Sequence, residues 1–206
     1  LQPLDSGPIV RKINYGGSAL FNRFNPGGAV RQGPEFTSLS GKLVVLKPRS
    51  RELLRDFFRK RFQSEVLRWS DVWPANPAFE EVRLRFAEQE ESLKEWRLWI
   101  HTVEGKLIGE ISLTDIDNSK HSAEFSIVLF DPPYWGQGYG TEASALFLAD
   151  AVSRFGLRSV YLFTVQDNKR AIRSFEKLGF RIVERLTMER ERFVRMEVSD
   201  KALRPG

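Results

Sequence analysis

Residues Ala123 to Ala143, AEFSIVLFDPPYWGQGYGTEA, constrain this chain more than any other stretch. The stretch opens with Phe125, Ile127, Val128, Leu129 and Phe130, the β-branched and aromatic types that strands favour. Asp131-Pro132-Pro133 then stops the run, because proline has no N–H for a ladder and restricts the residue before it. Gly136, Gly138 and Gly140 follow at every second position. Beyond them Ala143, Leu146, Phe147, Ala151 and Phe155 keep to one face of a helix. A strand, a glycine turn and a helix N-terminus together make an anion site: the glycines admit close backbone approach and several N–H groups converge.

The two commonest phosphate motifs do not fit. A Walker loop ends in Gly-Lys-Ser/Thr, and Gly140-Thr141-Glu142 supplies no lysine. A dinucleotide fingerprint requires G-x-G-x-x-G with an acidic residue about 20 positions on. Here the third glycine comes one residue early, and the expected acidic position falls on Val160. Taken alone, G-x-G-x-G also suits a surface hairpin or an ordinary strand-to-helix turn.

The segments that follow narrow the choice. Val160–Val165 reads as a further strand. Asn168 to Phe180, NKRAIRSFEKLGF, reads as a short helix with Ile172, Phe175 and Leu178 on one face and Gly179 closing it. The pair YWGQGYGTEA and NKRAIRSFEKLGF resembles the two signature segments of the GNAT acetyltransferases, which bind acetyl-coenzyme A. The resemblance runs from about Leu43 to Val198. It implies a single α/β domain on a mixed, mostly antiparallel sheet, with parallel central strands (123–130 and 159–165) splayed at the cofactor and flanked by helices.

Composition removes other classes. A chain of 206 residues that is 41% hydrophobic can bury one sizeable core. No run of about 18 apolar residues marks a membrane span, and no apolar h-region marks a signal peptide, so a cytoplasmic protein is expected. Cysteine is absent, which excludes disulfides, thiolate metal sites and a cysteine nucleophile. His101 and His121 form no ligand pattern, so no metal is expected. The balance of 32 Lys+Arg against 27 Asp+Glu is interspersed rather than blocked, which disfavours nucleic acid as a partner.

Residues 1–41 are rich in glycine and proline and read as an irregular arm; the acetyltransferase domain is expected over 42–200, with a tail at 201–206. Lys42–Lys47 reads as a first strand ended by Pro48, and Arg51–Phe62 as a helix with Leu53, Leu54, Phe57 and Phe58 inward. Phe79–Glu91 reads as a second helix, with Trp69 and Trp73 in the segment between; the resemblance implies that this region lines the acyl-acceptor cleft. Trp96–Val103 and Lys106–Asp115 form a hairpin across Glu104-Gly105. Arg181–Leu186 and Arg192–Val198 alternate as two final strands.

The resemblance also implies roles. The backbone of Val128, Leu129 and Phe130 would pair with the pantetheine arm, and Gly136, Gln137, Gly138, Tyr139, Gly140 and Thr141 would hold the pyrophosphate. Trp135 stands where the family often has Arg or Gln. Glu124 is the candidate general base, since a carboxylate there can take the amine proton directly or through water. Asn168 would bond the cofactor near its sulfur. Two familiar proton donors are missing: the tyrosine found in many members is Phe175, also a cofactor-side residue, and the serine of the ribosomal-protein branch is Ala171. Ser174, Tyr134, Tyr139 or water would have to protonate the leaving thiolate, whose thiol has a pKa of about 8.5 and so departs readily. The activity implied is acetyl transfer to a primary amine, whether a small molecule such as a polyamine or a protein N-terminus, with acetyl-CoA as co-substrate; a homodimer is left open. The alternative is an acyl-CoA-binding module without catalysis.

Overall fold

A computed structural model describes residues 38–69, 77–188 and 191–203. Its strands are β1 (Leu39–Ser40), β2 (Val44–Pro48), β3 (Trp96–Thr102), β4 (Leu107–Asp117), β5 (Ser122–Leu129), β6 (Ser159–Val165), β7 (Arg181–Met188) and β8 (Glu191–Ser199). The helices are α1 (Leu54–Arg61), α2 (Ser64–Leu67), α3 (Phe79–Glu91), α4 (Tyr139–Phe155), α5 (Lys169–Lys177) and α6 (Asp200–Leu203). The strands form one sheet in the order β1-β2-β3-β4-β5-β6-β8-β7, in which β5 and β6 alone pair in parallel.

The expected boundaries shift at both ends of the domain. Leu39 and Ser40 pair with Leu46 and Val45, so the last residues of the glycine-rich arm belong to the sheet. Asp200–Leu203 form a helical turn where a tail is expected, and Leu203 packs on the core. Trp73 and the arm's Phe21, Phe24 and Phe36 lie outside the described residues.

Alternation along the strands builds two cores, one on each face of the sheet. Leu98, Ile100, Ile111, Leu113, Phe125 and Leu162 face α4 and α5, where Trp96 stacks on Phe147 with ring centres 4.4 Å apart. Such an aromatic pair adds about 0.5–1.5 kcal/mol beyond its buried area. Trp99, Leu107 and Phe130 face the other way, against Leu54 and Phe57 of α1 and Val82 and Phe86 of α3. That second layer also encloses charge. Arg97 contacts Glu95 at 2.7 Å and Glu110 at 3.4 Å, and burial lowers the Arg61 guanidinium to a pKa of about 10. Burying ions costs several kcal/mol each, so this network is better read as fixing the seat of α1 and α3 than as a source of stability. Among the described residues no helix is long and apolar enough to cross a membrane.

Candidate functional site

β5 and β6 pair at only three positions, Ser122 with Ser159, Ala123 with Val160 and Glu124 with Tyr161. Both strands continue beyond the last pair, to Leu129 and Val165, and no longer bond to each other. A cavity of about 380 Å³ opens there, within the range of small-molecule sites. Its walls come from β5, the glycine turn, the first turns of α4, α5, Val66 of α2 and Trp69 just after it.

Strand parity decides which backbone groups face that gap. The Phe130 N–H donates to the Ile108 carbonyl at 2.8 Å, toward β4. Because successive residues turn their N–H and C=O to opposite edges, Val128 and Phe130 serve β4 while Ile127 and Leu129 turn toward the gap. Of the expected trio, then, Leu129 alone offers its backbone to the cavity. Val128 also lines it but packs against the α1 and α3 core, and Phe130 is buried against Phe57, with ring centres 5.3 Å apart. Ile127 is the residue that sequence reasoning missed, because the edge that β4 takes decides which residues of β5 turn to the gap. The Leu129 carbonyl is already engaged: Trp135 Nε1 donates to it at 3.0 Å.

The turn has the backbone an anion cradle requires. Gly136 and Gly138 take φ of +75° and +94°, where an L side chain is strained, and Gly138 caps α4. Gln137 turns its amide back to the Pro133 carbonyl, and Tyr139 packs edge-on against Tyr134 at 4.9 Å. These two residues therefore shape the loop with their side chains and leave the cavity wall to the glycines. Thr141 Oγ1 lies 2.7 Å from Ser174 Oγ, joining α4 to α5 at this end of the cavity. Ser174 thus stands with the residues at the start of α4.

Helix α5 closes the other wall. Asn168 is its N-cap, and Oδ1 accepts the Ala171 N–H at 3.2 Å. Phe175 lines the cavity while packing edge-on against Phe125 at 6.1 Å, so the position offers no hydroxyl. Arg170, Arg173 and Lys177 bring positive charge to the same wall, and the Arg170 guanidinium sits 4.2 Å from the Trp135 ring centre. Partial burial lowers the pKa of Arg170, an effect opposed by the charge of Glu65. Splayed edge groups, a glycine cradle and a cationic helix fit a long phosphorylated thioester such as acetyl-CoA.

A family model described as an acetyltransferase (GNAT) domain matches residues 43–181. The chain belongs to the GNAT acetyltransferase family. The chain is 29% identical over 145 residues to the spermidine N(1)-acetyltransferase of Escherichia coli (strain K12), covering 69% of this chain and 75% of that protein. It is 27% identical over 176 residues to the human alpha/beta-tubulin-N-acetyltransferase 9, covering 80% and 84% of the two chains. The crystal structure of Vibrio cholerae spermidine N-acetyltransferase, in complex with CoA and spermine, superposes with a TM-score of 0.72 at 20% identity. That match covers 78% of this chain and 97% of the other.

The enzyme is therefore an acetyl-CoA-dependent N-acetyltransferase, and its remaining expected site residue lies one step from the cavity. Glu124 sits on the last paired rung beside Tyr161 and opposite Thr114 on β4. Its neighbours Ala123 and Phe125 face α4, so the Glu124 carboxylate turns to the opposite face of the sheet, the face covered by α1 and α3 further along. It is 9% exposed and falls outside the cavity wall. Burial first, and then the charges of Glu124 and Asp115, push the Tyr161 phenol up to about 12. The two histidines stand elsewhere: His121 Nδ1 lies 3.1 Å from the Gly156 carbonyl, and His101 is buried in β3. Among the described residues no group of three or more His, Asp or Glu side chains could hold a metal ion.

Proposed function

We propose that this GNAT enzyme acetylates a primary amine of a polyamine-like cation. The observation that carries the reading is the negative face at the foot of the splay. Glu124 shares the last paired rung with Tyr161, and, beyond burial, Glu124, Asp115 and Asp117 raise the phenol against the opposing charge of Arg195, 4.8 Å from the ring centre; a flexible di- or triamine complements the three carboxylates gathered there. The names of the bacterial relative and the structural neighbour point the same way.

Acetyl-CoA, when bound, supplies an activated acetyl thioester. The chain's own residues do the rest. Ile127 and Leu129 present edge backbone to the arm, Gly136 to Thr141 present N–H groups to the pyrophosphate, and Asn168 and Phe175 bound the sulfur end. Ser174, hydrogen-bonded to Thr141, is assigned to the phosphate end, which leaves proton return to water or another hydroxyl. Glu124 accepts the amine proton through an intervening water, because its rung lies just short of the gap.

A second reading, transfer to an amine of a protein such as its N-terminus, is motivated by the human relative, a tubulin N-acetyltransferase by name, whose match covers 80% of the chain. Thiol release with acetyl-CoA against spermidine, spermine, putrescine and a set of N-terminal peptides separates the two. Turnover confined to the peptides would overturn the polyamine reading. Tight CoA binding with no turnover on any amine would favour a binding module without catalysis.

A further inference from the structure

One carboxylate at the cofactor end of α4 has all its bonds directed away from the cavity. Glu142 Oε1 accepts the Lys42 N–H at 2.9 Å, and Oε2 accepts the N–H groups of Leu43 at 2.7 Å and Val44 at 3.0 Å. Three consecutive backbone donors leading into β2 thus converge on one side chain, and hydrogen bonds to an ionised acceptor are roughly twice as strong as neutral ones. The fit is tight: a Cβ added at Gly41 would come within 2.6 Å of Glu142 Oε2. The same residue's N–H donates to the Gly138 carbonyl at 2.9 Å and closes the first turn of α4. Leu43, held by the clamp, completes the circuit, because its Cδ1 lies 3.5 Å from where a Gly138 side chain would begin.

Backbone and side chain of one residue therefore tie the glycine turn to β2, a strand about 100 positions away in sequence. The arrangement also settles an electrostatic conflict. An anion in the first turn of a helix suits the dipole, but here it stands beside a cradle meant for another anion. The N–H groups of Lys42, Leu43 and Val44 take up its lone pairs, so the free donors of the turn remain available to the ligand.

We propose that Glu142 is the positioning residue of the donor site: by clamping β2 it holds Gly136 to Thr141 in the conformation that receives the pyrophosphate of acetyl-CoA. The proposal rests on assigning that turn to the pyrophosphate. Its mark is selectivity between two ligands that share the pantetheine arm and differ in the pyrophosphate.

The test measures affinity of the full chain for CoA by calorimetry and for pantetheine by ligand-observed NMR. Glu142→Ala should weaken CoA by about tenfold or more, since the charge-assisted hydrogen bonds that the turn offers a pyrophosphate are the strong ones and depend on its geometry. Pantetheine should stay within about twofold of the wild type. Glu142→Gln, which keeps one carbonyl acceptor, should fall between the two, and it carries the test by the same criteria if the alanine variant does not fold. CoA affinity within about twofold of the wild type, or equal losses for both ligands, overturns the proposal. Gly138→Val separates this failure from failure of the assignment beneath it. If that variant folds and binds CoA normally, the pyrophosphate assignment falls; if it loses CoA while the Glu142 variants do not, the clamp alone falls.

Discussion

The Trp135 indole donates its Nε1–H to the Leu129 carbonyl across 3.0 Å, at the point where β5 leaves its parallel partner. This bond joins the loop to the strand edge on which the cofactor arm would lie, and Arg170 covers the other side of the ring. Trp135→Phe removes the donor and keeps an aromatic face for the guanidinium. The freed carbonyl faces a cavity and can take water, so the loss should sit at the low end of the ~0.5–1.5 kcal/mol typical of a hydrogen bond. Chemical denaturation should show that small loss with an unchanged m-value.

The Glu124–Tyr161 rung makes a pH prediction. The phenol is pushed up to about 12 in the folded chain, against about 10 for an ordinary tyrosine. A folded pKa above the unfolded one means that the folded state keeps a proton the unfolded state has lost. Stability from this group is therefore complete below about pH 10 and is lost as pH rises toward 12. Thermal melts across that window should fall more steeply for the wild type than for Tyr161→Phe. Glu124→Gln should lower the tyrosine pKa, because one carboxylate that disfavours the phenolate is gone. It should also cut turnover within the ~10²–10⁴ range of a general base while leaving CoA affinity unchanged. An unchanged rate on the best amine would remove Glu124 from the mechanism.

Gly138→Val tests the cradle itself. At φ +94° a β-carbon is strained by about 1–2 kcal/mol, and it would also meet Leu43 at 3.5 Å. The strain is affordable for a folded domain, so the variant should fold and lose CoA binding. Circular dichroism together with calorimetry checks both halves.

Local signals made much of this fold readable from the residues. The Phe79–Glu91 helix, the hairpin across Glu104-Gly105, the glycine turn and the α5 segment each carry their own periodicity or punctuation within a few turns of chain. What the sequence did not disclose depends on partners distant in the chain. That Leu129 rather than Phe130 faces the splay follows from which edge β4 takes, and the Phe130–Ile108 bond fixes it. The grip of Glu142 on residues 42–44 leaves no pattern in either segment alone. Val66 reaches the cavity from α2, a helix of four residues too short for a periodic signal, and Trp69 from just beyond it.

Phe175 bears on how the reaction ends. Its ring is 8% exposed, held between Phe125 and Phe180, yet it lines the cavity. Phe175→Tyr keeps the ring's shape and adds one hydroxyl, so the fold should persist. If water or another hydroxyl already returns the proton, the added phenol has little to improve, because a thiol of pKa about 8.5 is a good leaving group near neutral pH. The rate should then change by less than the full ~10²–10⁴ of a general acid. Thiol release from acetyl-CoA, measured for both proteins with the best amine of the panel, decides the matter. A gain beyond about a thousandfold from an almost inactive wild type would mean that the phenol supplies what this chain lacks. Catalysis by the natural sequence would then have to be abandoned in favour of acyl-CoA binding alone.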